Sequence, residues 1–386
     1  MKTKINKLKW LFWVVLVLLL LTITSYSSDA KNQSISDPII LNDLIDHDPI
    51  VITTDAGFSS FPGNGIPGDP YIIENYNITT SSLIGILIDA SGGSTGFNVS
   101  FIIRDCWITA AEVCIKIIDA YPSLVTIDNC TCVNTLGGDG VGIYLIRCNG
   151  ATIINCDCIN NFHTGIRLDK CPVLWVENNI CKNNGDEGIF IDNNSNDGLF
   201  LNNKCEKNAW GIRNDFSHSN TFRYNNCTDN SYAGFGHYYG NDLVAENNTV
   251  LKNGAYGFQI LSTHNGLYVF NLIKDTTSYG VYLEAGVDFC TLHHNNFIGN
   301  NGGGVQAEDD AVLTTQNATW YDVATNEGNY WDDYVGPGVY NIDGTANNND
   351  PYPLNSIVII PEFSSIVLGV LLLSLISLVI ISLKKK

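Results

Sequence analysis

From residue 142 onward a glycine followed by an apolar, a variable and a second apolar residue keeps returning. It stands at Gly142, Gly165, Gly188, Gly211, Gly234, Gly257 and Gly280, an interval of 23 residues repeated six times. Upstream the same pattern occurs at Gly85 and Cys114, with intervals of 29 and 28 residues, the second lengthened by the turn Leu136-Gly137-Gly138-Asp139-Gly140. Downstream it fades at Gly303. Each unit reads as three short runs of β-forming residues, as in Gly165-Ile166-Arg167-Leu168, Val173-Leu174-Trp175-Val176 and Ile180-Cys181, separated by Asn, Asp and Gly. A helical repeat of this length needs a 3.6-residue period and good helix formers, whereas Asn and Gly interrupt these runs every few residues. One unit cannot bury its apolar face alone, so the units must stack. The pattern predicts an all-β fold, a single-stranded right-handed parallel β-helix of about ten coils over residues 85–325.

Stacking places equivalent residues of successive coils about 4.8 Å apart, so recurring side chains should form ladders. Asn179, Asn203, Asn226, Asn248, Asn271 and Asn296 recur once per coil and are predicted to hydrogen-bond along the stack. Of the twelve cysteines, Cys106, Cys130, Cys156, Cys181, Cys205 and Cys227 advance by 22 to 26 residues, and Cys148 to Cys171 is again 23. That spacing suits a ladder of buried thiols, although neighbouring rungs are also close enough to be bridged. No Cys-x-x-Cys spacing of the zinc-site kind is present.

The ends read differently. Residues 1–30 join Lys2, Lys4, Lys7 and Lys9 to an apolar run and a polar stretch ending near Ala30, as in a secretory leader. Residues 31–84 would open and cap the solenoid, and 326–356 would close it. Within 357–386, Ile366 to Leu383 is an uncharged apolar run followed by three lysines, long enough to span a bilayer with the lysines inside the cell. Between Ala30 and Ile360 there remain 13 Lys and Arg against 37 Asp and Glu, a net of about −24. Such a surface repels nucleic acid and polyanions and suits neutral polymers, cations or simple solubility. Asn-X-Ser/Thr triplets at Asn32, Asn77, Asn98, Asn129, Asn193, Asn226, Asn247 and Asn317 fit a glycosylated exterior.

Two segments carry resemblances. Pro361, Glu362 and Phe363, just before the apolar run, resemble the sorting signals that archaeal surface proteins present to archaeosortase-type transpeptidases, which implies a span either retained or exchanged for a lipid. Asn329-Tyr330-Trp331-Asp332-Asp333-Tyr334, Tyr340-Asn341-Ile342-Asp343-Gly344 and Asp350-Pro351-Tyr352-Pro353-Leu354 resemble the C-terminal part of NosD-like β-helix proteins. That family is named for a periplasmic factor in copper maturation of nitrous-oxide reductase. With the opening Gly68-Asp69-Pro70-Tyr71-Ile72-Ile73-Glu74-Asn75-Tyr76, the resemblance covers about residues 50 to 354. It implies the β-helix fold and, through the wider group sharing this helix, carbohydrate binding or sugar hydrolysis. Two departures weaken a metal role. The loop between the aromatic segments is reduced to Val335-Gly336-Pro337-Gly338-Val339, and Met1 is the only methionine.

Within each coil the residues one and three after the glycine should point inward and the second outward. That outward column reads Lys116, Tyr144, Arg167, Phe190, Arg213, Gln259 and Tyr282, a set of rings and cations on which a glycan could lie. Two positions further stand Asp169, Asp192 and Asp215, three carboxylates one coil apart. Stacked like charges raise one another's pKa or attract a cation, which suits paired-carboxylate hydrolysis or a Ca²⁺-assisted lyase with Arg167 or Arg213 acting on an acidic sugar. Asx-turns would place the same residues there without any chemistry. His218, His264, His293 and His294 read as structural or surface residues.

The sequence favours a non-catalytic surface module at the outer face of the cell membrane, one that binds a polysaccharide or envelope glycan or serves as a structural or adhesive part of the envelope. A polysaccharide lyase, hydrolase or epimerase using the Asp169, Asp192 and Asp215 face is the first alternative, and a copper-handling accessory protein the second.

Overall fold

The computed structural model describes residues 43–92, 96–120, 124–312 and 317–360. The leader expected over residues 1–30 and the Pro361, Glu362 and Phe363 segment with its apolar run lie outside them. Among the described residues no helix is long and apolar enough to cross a membrane.

The chain winds as an all-β, right-handed parallel solenoid with three sheets of 11, 10 and 12 strands. Sheet 1 carries the glycine-led strands, such as Ile166–Asp169; sheet 2 follows with Trp175–Glu177 and sheet 3 with Ile180–Lys182 before Glu187–Asp192 returns to sheet 1. Strand pairing starts at Ile45 and reaches Leu354, so both segments read as caps contribute backbone to the sheets. The last sheet 1 strand, Ala307–Asp309, pairs with Val281–Leu283, which makes Gln306 and not Gly303 the counterpart of Gly280. The turn Asn300–Gly303 adds residues there and shifts the count.

The glycine leads each unit for a steric reason. A Cβ on Gly165 would lie 2.6 Å from the Gly188 carbonyl oxygen and 2.9 Å from Asn184 Nδ2, closer than real Cβ atoms come. The corner between sheets 3 and 1 has no room for a side chain, because an asparagine ladder fills it. Asn161, Asn184, Asn208 and Asn230 each donate through Nδ2 to the Oδ1 of the next rung, ending on Asn253, at 2.9 to 3.2 Å.

A second ladder lines the turn between sheets 2 and 3 and corrects the register expected from sequence. It runs Asn179, Asn203, Asn225, Asn248, Asn271, Asn295 and Asn329, so Asn226 and Asn296 are not rungs. Asn178, Asn202 and Asn247 take the left-handed turn position just before their rungs, but Tyr224 and His294 take it before Asn225 and Asn295. Each Asn-Asn pair is therefore displaced by one residue, and Asn226 and Asn296 begin strands of sheet 3.

The six cysteines from Cys106 to Cys227 that spacing put in one ladder divide between two columns. Cys106, Cys130 and Cys156 occupy the rung position upstream of Asn179, each thiol directed at a carbonyl of the preceding coil as the Asn amides are. Cys132, Cys158, Cys181, Cys205 and Cys227 pair directly in sheet 3 and fill the core. All twelve thiols are free and buried.

Aromatic residues close both ends. Phe58 is fully buried against Phe97, Phe101 and Tyr71. At the other end Trp331 stacks at 4.1 Å on both Phe297 and Tyr340, and its Nε1 donates to Asp350 at 3.0 Å. The Asn-Tyr-Trp and Asp-Pro-Tyr motifs thus end the ladder and seal the core.

Candidate functional site

Parallel register carries one column of side chains straight down the outer face of sheet 1. Lys116, Tyr144, Arg167, Phe190, Arg213, Gly236, Gln259, Tyr282 and Glu308 are paired in that order. The structure therefore aligns all seven expected contact residues and inserts Gly236 among them.

In the first half cations and rings alternate. Lys116 Nζ and Arg167 Cζ each lie 5.0 Å from the Tyr144 ring centre, while Arg167 and Arg213 sit 5.5 and 5.3 Å from that of Phe190. Lys116 also pairs with Asp139 at 3.0 Å. Arg213 binds both oxygens of Asp215, at 3.2 and 2.7 Å, and reaches Glu187 at 3.3 Å. Among the described residues Arg167 pairs with no carboxylate, and its Nε is buried without an acceptor between the two rings.

The three aspartates stand one coil apart in register but are held by different partners. Asp169 accepts from Asn193 Nδ2 at 3.1 Å, and Asp215 is held by Arg213. Burial, and then the charge of Asp169, pushes Asp192 above the usual carboxylate range. Burial outweighs Arg213 at Asp215, whose pKa rises to about 6. These two groups can hold a proton closer to neutrality than an ordinary carboxyl.

Gly236 breaks the column, and Trp210 uses the gap. A Cβ on Gly236 would lie 2.8 Å from Trp210 Cζ3 and 3.0 Å from Cε3, so the indole lies across the glycine. Around it stand Tyr232 at 4.5 Å and Tyr238 at 5.7 Å between ring centres, with Arg213 at 5.6 Å. Tyr256 and Tyr282 continue the aromatic surface at 5.1 Å from each other. Tyr238 donates to Gln259 Oε1 at 2.7 Å, and Gln259 in turn donates to Glu284. At the rim Phe216 and Tyr239 are exposed and stacked at 4.6 Å with planes 3° apart, both in the left-handed backbone region. Bulky residues seldom adopt that conformation.

Sequence reading missed Trp210, Tyr232 and Tyr238 because it followed one position per coil. The usable signal was the gap at Gly236 in an otherwise large-residue column.

The histidines are engaged within the fold. His218 Nδ1 accepts from the Asn241 amide at 3.0 Å, and His264 pairs with Asp288. His293 and His294 meet through their Nδ1 atoms at 2.6 Å, with His294 Nε2 2.8 Å from Glu327. Burial lowers His237 to about 3. Among the described residues no group of three or more His, Cys, Asp or Glu is placed to hold a metal ion. The thiols point into the core instead of an open site.

Comparison with curated proteins gives no match. Among solved structures the chain is similar to the Azotobacter vinelandii mannuronan C-5 epimerase AlgE4 A-module, at 13% identity and a TM-score of 0.47 over 72% of this chain and 93% of that one. It is also similar to the periplasmic alginate epimerase AlgG, at 13% identity and a TM-score of 0.41 over 65% and 67%. For pectate lyase Pel9A the values are 12% and 0.38 over 76% and 80%. The profile of a family described as periplasmic copper-binding protein (NosD) matches residues 63–212 and 123–336. Those spans take in most of the solenoid and the start of its aromatic seal, and the chain belongs to the NosD family.

Proposed function

We propose that this protein is a non-catalytic glycan-binding module, holding a polysaccharide along the outer face of sheet 1 with one sugar ring on Trp210. The observation that carries this reading is the indole laid across Gly236, with Arg213, Tyr238 and Gln259 at its edges. A flat ring framed by hydrogen-bonding groups matches a pyranose, apolar on its faces and polar at its rim. The alternating cations and rings of Lys116, Tyr144, Arg167, Phe190 and Arg213 extend the track by further coils. The excess of carboxylates over the body favours an uncharged polymer. The leader, the apolar tail and the family's periplasmic description support a place outside the cytoplasm, tethered to the membrane by the tail or by a lipid exchanged for it.

A copper role fits the family's description but not this donor set. The thiols are buried, and the only methionine is Met1.

A second reading, a polysaccharide lyase, hydrolase or epimerase, draws on the raised pKa values of Asp192 and Asp215 beside two arginines. Incubation of the purified protein with a polysaccharide panel, with and without Ca²⁺, separates the two. Binding without product supports the module; product release that Asp192→Asn abolishes overturns it.

A further inference from the structure

Seven of the Asn-X-Ser/Thr triplets fall on described residues, and their side chains sort into two kinds. Five belong to the repeat itself. Asn129, Asn193 and Asn247 occupy left-handed turn positions, where Asn is chosen for its backbone. Asn77 and Asn226 lie inside strands paired on both sides. Four of the five amides are also spent: Asn77 donates to Asp46, Asn129 to Asp105, Asn193 to Asp169, and the buried Asn247 to Tyr224 and Glu246. A following Ser or Thr is expected there by chance, since both are common next to these turns.

Asn98 and Asn317 are different. Each is exposed, neither side-chain amide has a hydrogen-bond partner among the described residues, and neither residue is in a regular strand or a left-handed turn. Asn98 lies in the connection between Ile84–Asp89 and Phe101–Arg104, and Asn317 in that between Ala307–Asp309 and Tyr330–Trp331. The Asn side chains themselves stand outside any paired strand, while Ser100 and Thr319, which complete the triplets, are tied by backbone hydrogen bonds to Gly65 and Cys290.

We propose that Asn98 and Asn317 are acceptors for N-linked glycosylation and that the other five triplets are not. In the transfer Nδ2 attacks the anomeric carbon of a lipid-phosphate-linked oligosaccharide. The new N–C bond forms as the C–O bond to phosphate breaks; the lipid phosphate leaves with that electron pair, and the amide loses one proton. Along the chain's winding both positions lie outside the coils that carry Lys116 to Tyr282: Asn98 follows the strand of Leu87, which pairs with Lys116, and Asn317 follows that of Glu308, which pairs with Tyr282.

The test uses the folded full-length chain in detergent, an oligosaccharyltransferase and a lipid-linked oligosaccharide, with peptide mapping by mass spectrometry. The expected product carries glycan at Asn98 and Asn317, and Asn98→Gln and Asn317→Gln each lose one glycan mass while keeping the wild-type circular dichroism. Absence of glycan from either position, with a control sequon peptide modified in the same mixture, overturns its assignment. Comparable occupancy at Asn129, Asn193 or Asn247 overturns the sorting by free amides. Neither outcome bears on whether Trp210 binds sugar.

Discussion

Trp210 lies flat over Gly236, with its Cζ3 atom 2.8 Å from the place a Cβ would occupy. The other atoms near that place belong to side-chain ends of Trp210 and Tyr238, and Gly236 does not use a positive φ. Gly236→Val should therefore keep the solenoid and displace only the ring. The expected result is a Tm within a few degrees of wild type, about the shift that 1 kcal/mol gives in a chain of this size. A cooperative loss of structure on substitution would show that the glycine serves the backbone instead.

The asparagine ladder predicts a contrast between neighbours. Asn225 accepts from the Asn203 backbone and side chain and donates to the Phe200 carbonyl and Asn248, all buried. Asn225→Leu leaves several of these groups unpaired, at about 1–3 kcal/mol each, so a loss of roughly 3 kcal/mol or more is expected. Asn226→Ala, one residue along and only half-buried, should cost about 1 kcal/mol or less. Denaturant unfolding of both variants checks the register, and equal losses would contradict it.

Much of this was legible in the sequence, because a 23-residue period with glycine at the crowded corner admits few folds. The outward column and its order followed from the alternation of strand residues. The ladder slipped by one residue where Tyr224 and His294 replaced Asn in the turn, since period alone cannot say which Asn of a pair turns inward. The two thiol columns merged for the same reason. Trp210 was hidden because its role depends on the next coil, where Gly236 leaves the space it fills.

Asp215 gives a pH dependence of definite sign. Burial raises its folded pKa from 3.8 to about 6, so between those values the folded chain binds more protons than the unfolded one. Stability from this group is present below that window and is lost as pH rises through it. The raised pKa of Asp192 acts in the same direction. Asp215→Asn should flatten part of the fall in Tm across that window, by an amount equivalent to at most about 3 kcal/mol. Identical slopes for the two proteins would contradict the assignment.

The thiols should be inert while the fold persists. A thiol reagent added to the native protein is expected to react very slowly, and guanidinium unfolding without reductant should then expose all twelve. Fewer than twelve would reveal disulfides that the columns make geometrically feasible.

The most direct test of the central claim is calorimetric titration of an uncharged polysaccharide found to bind in the panel assay, into wild type, Trp210→Ala and Gly236→Val. Loss of at least about 1.4 kcal/mol, a tenfold weaker Kd, is expected for both variants. Undiminished binding by a folded Trp210→Ala protein would contradict a glycan site on the outer face of sheet 1 centred at Trp210.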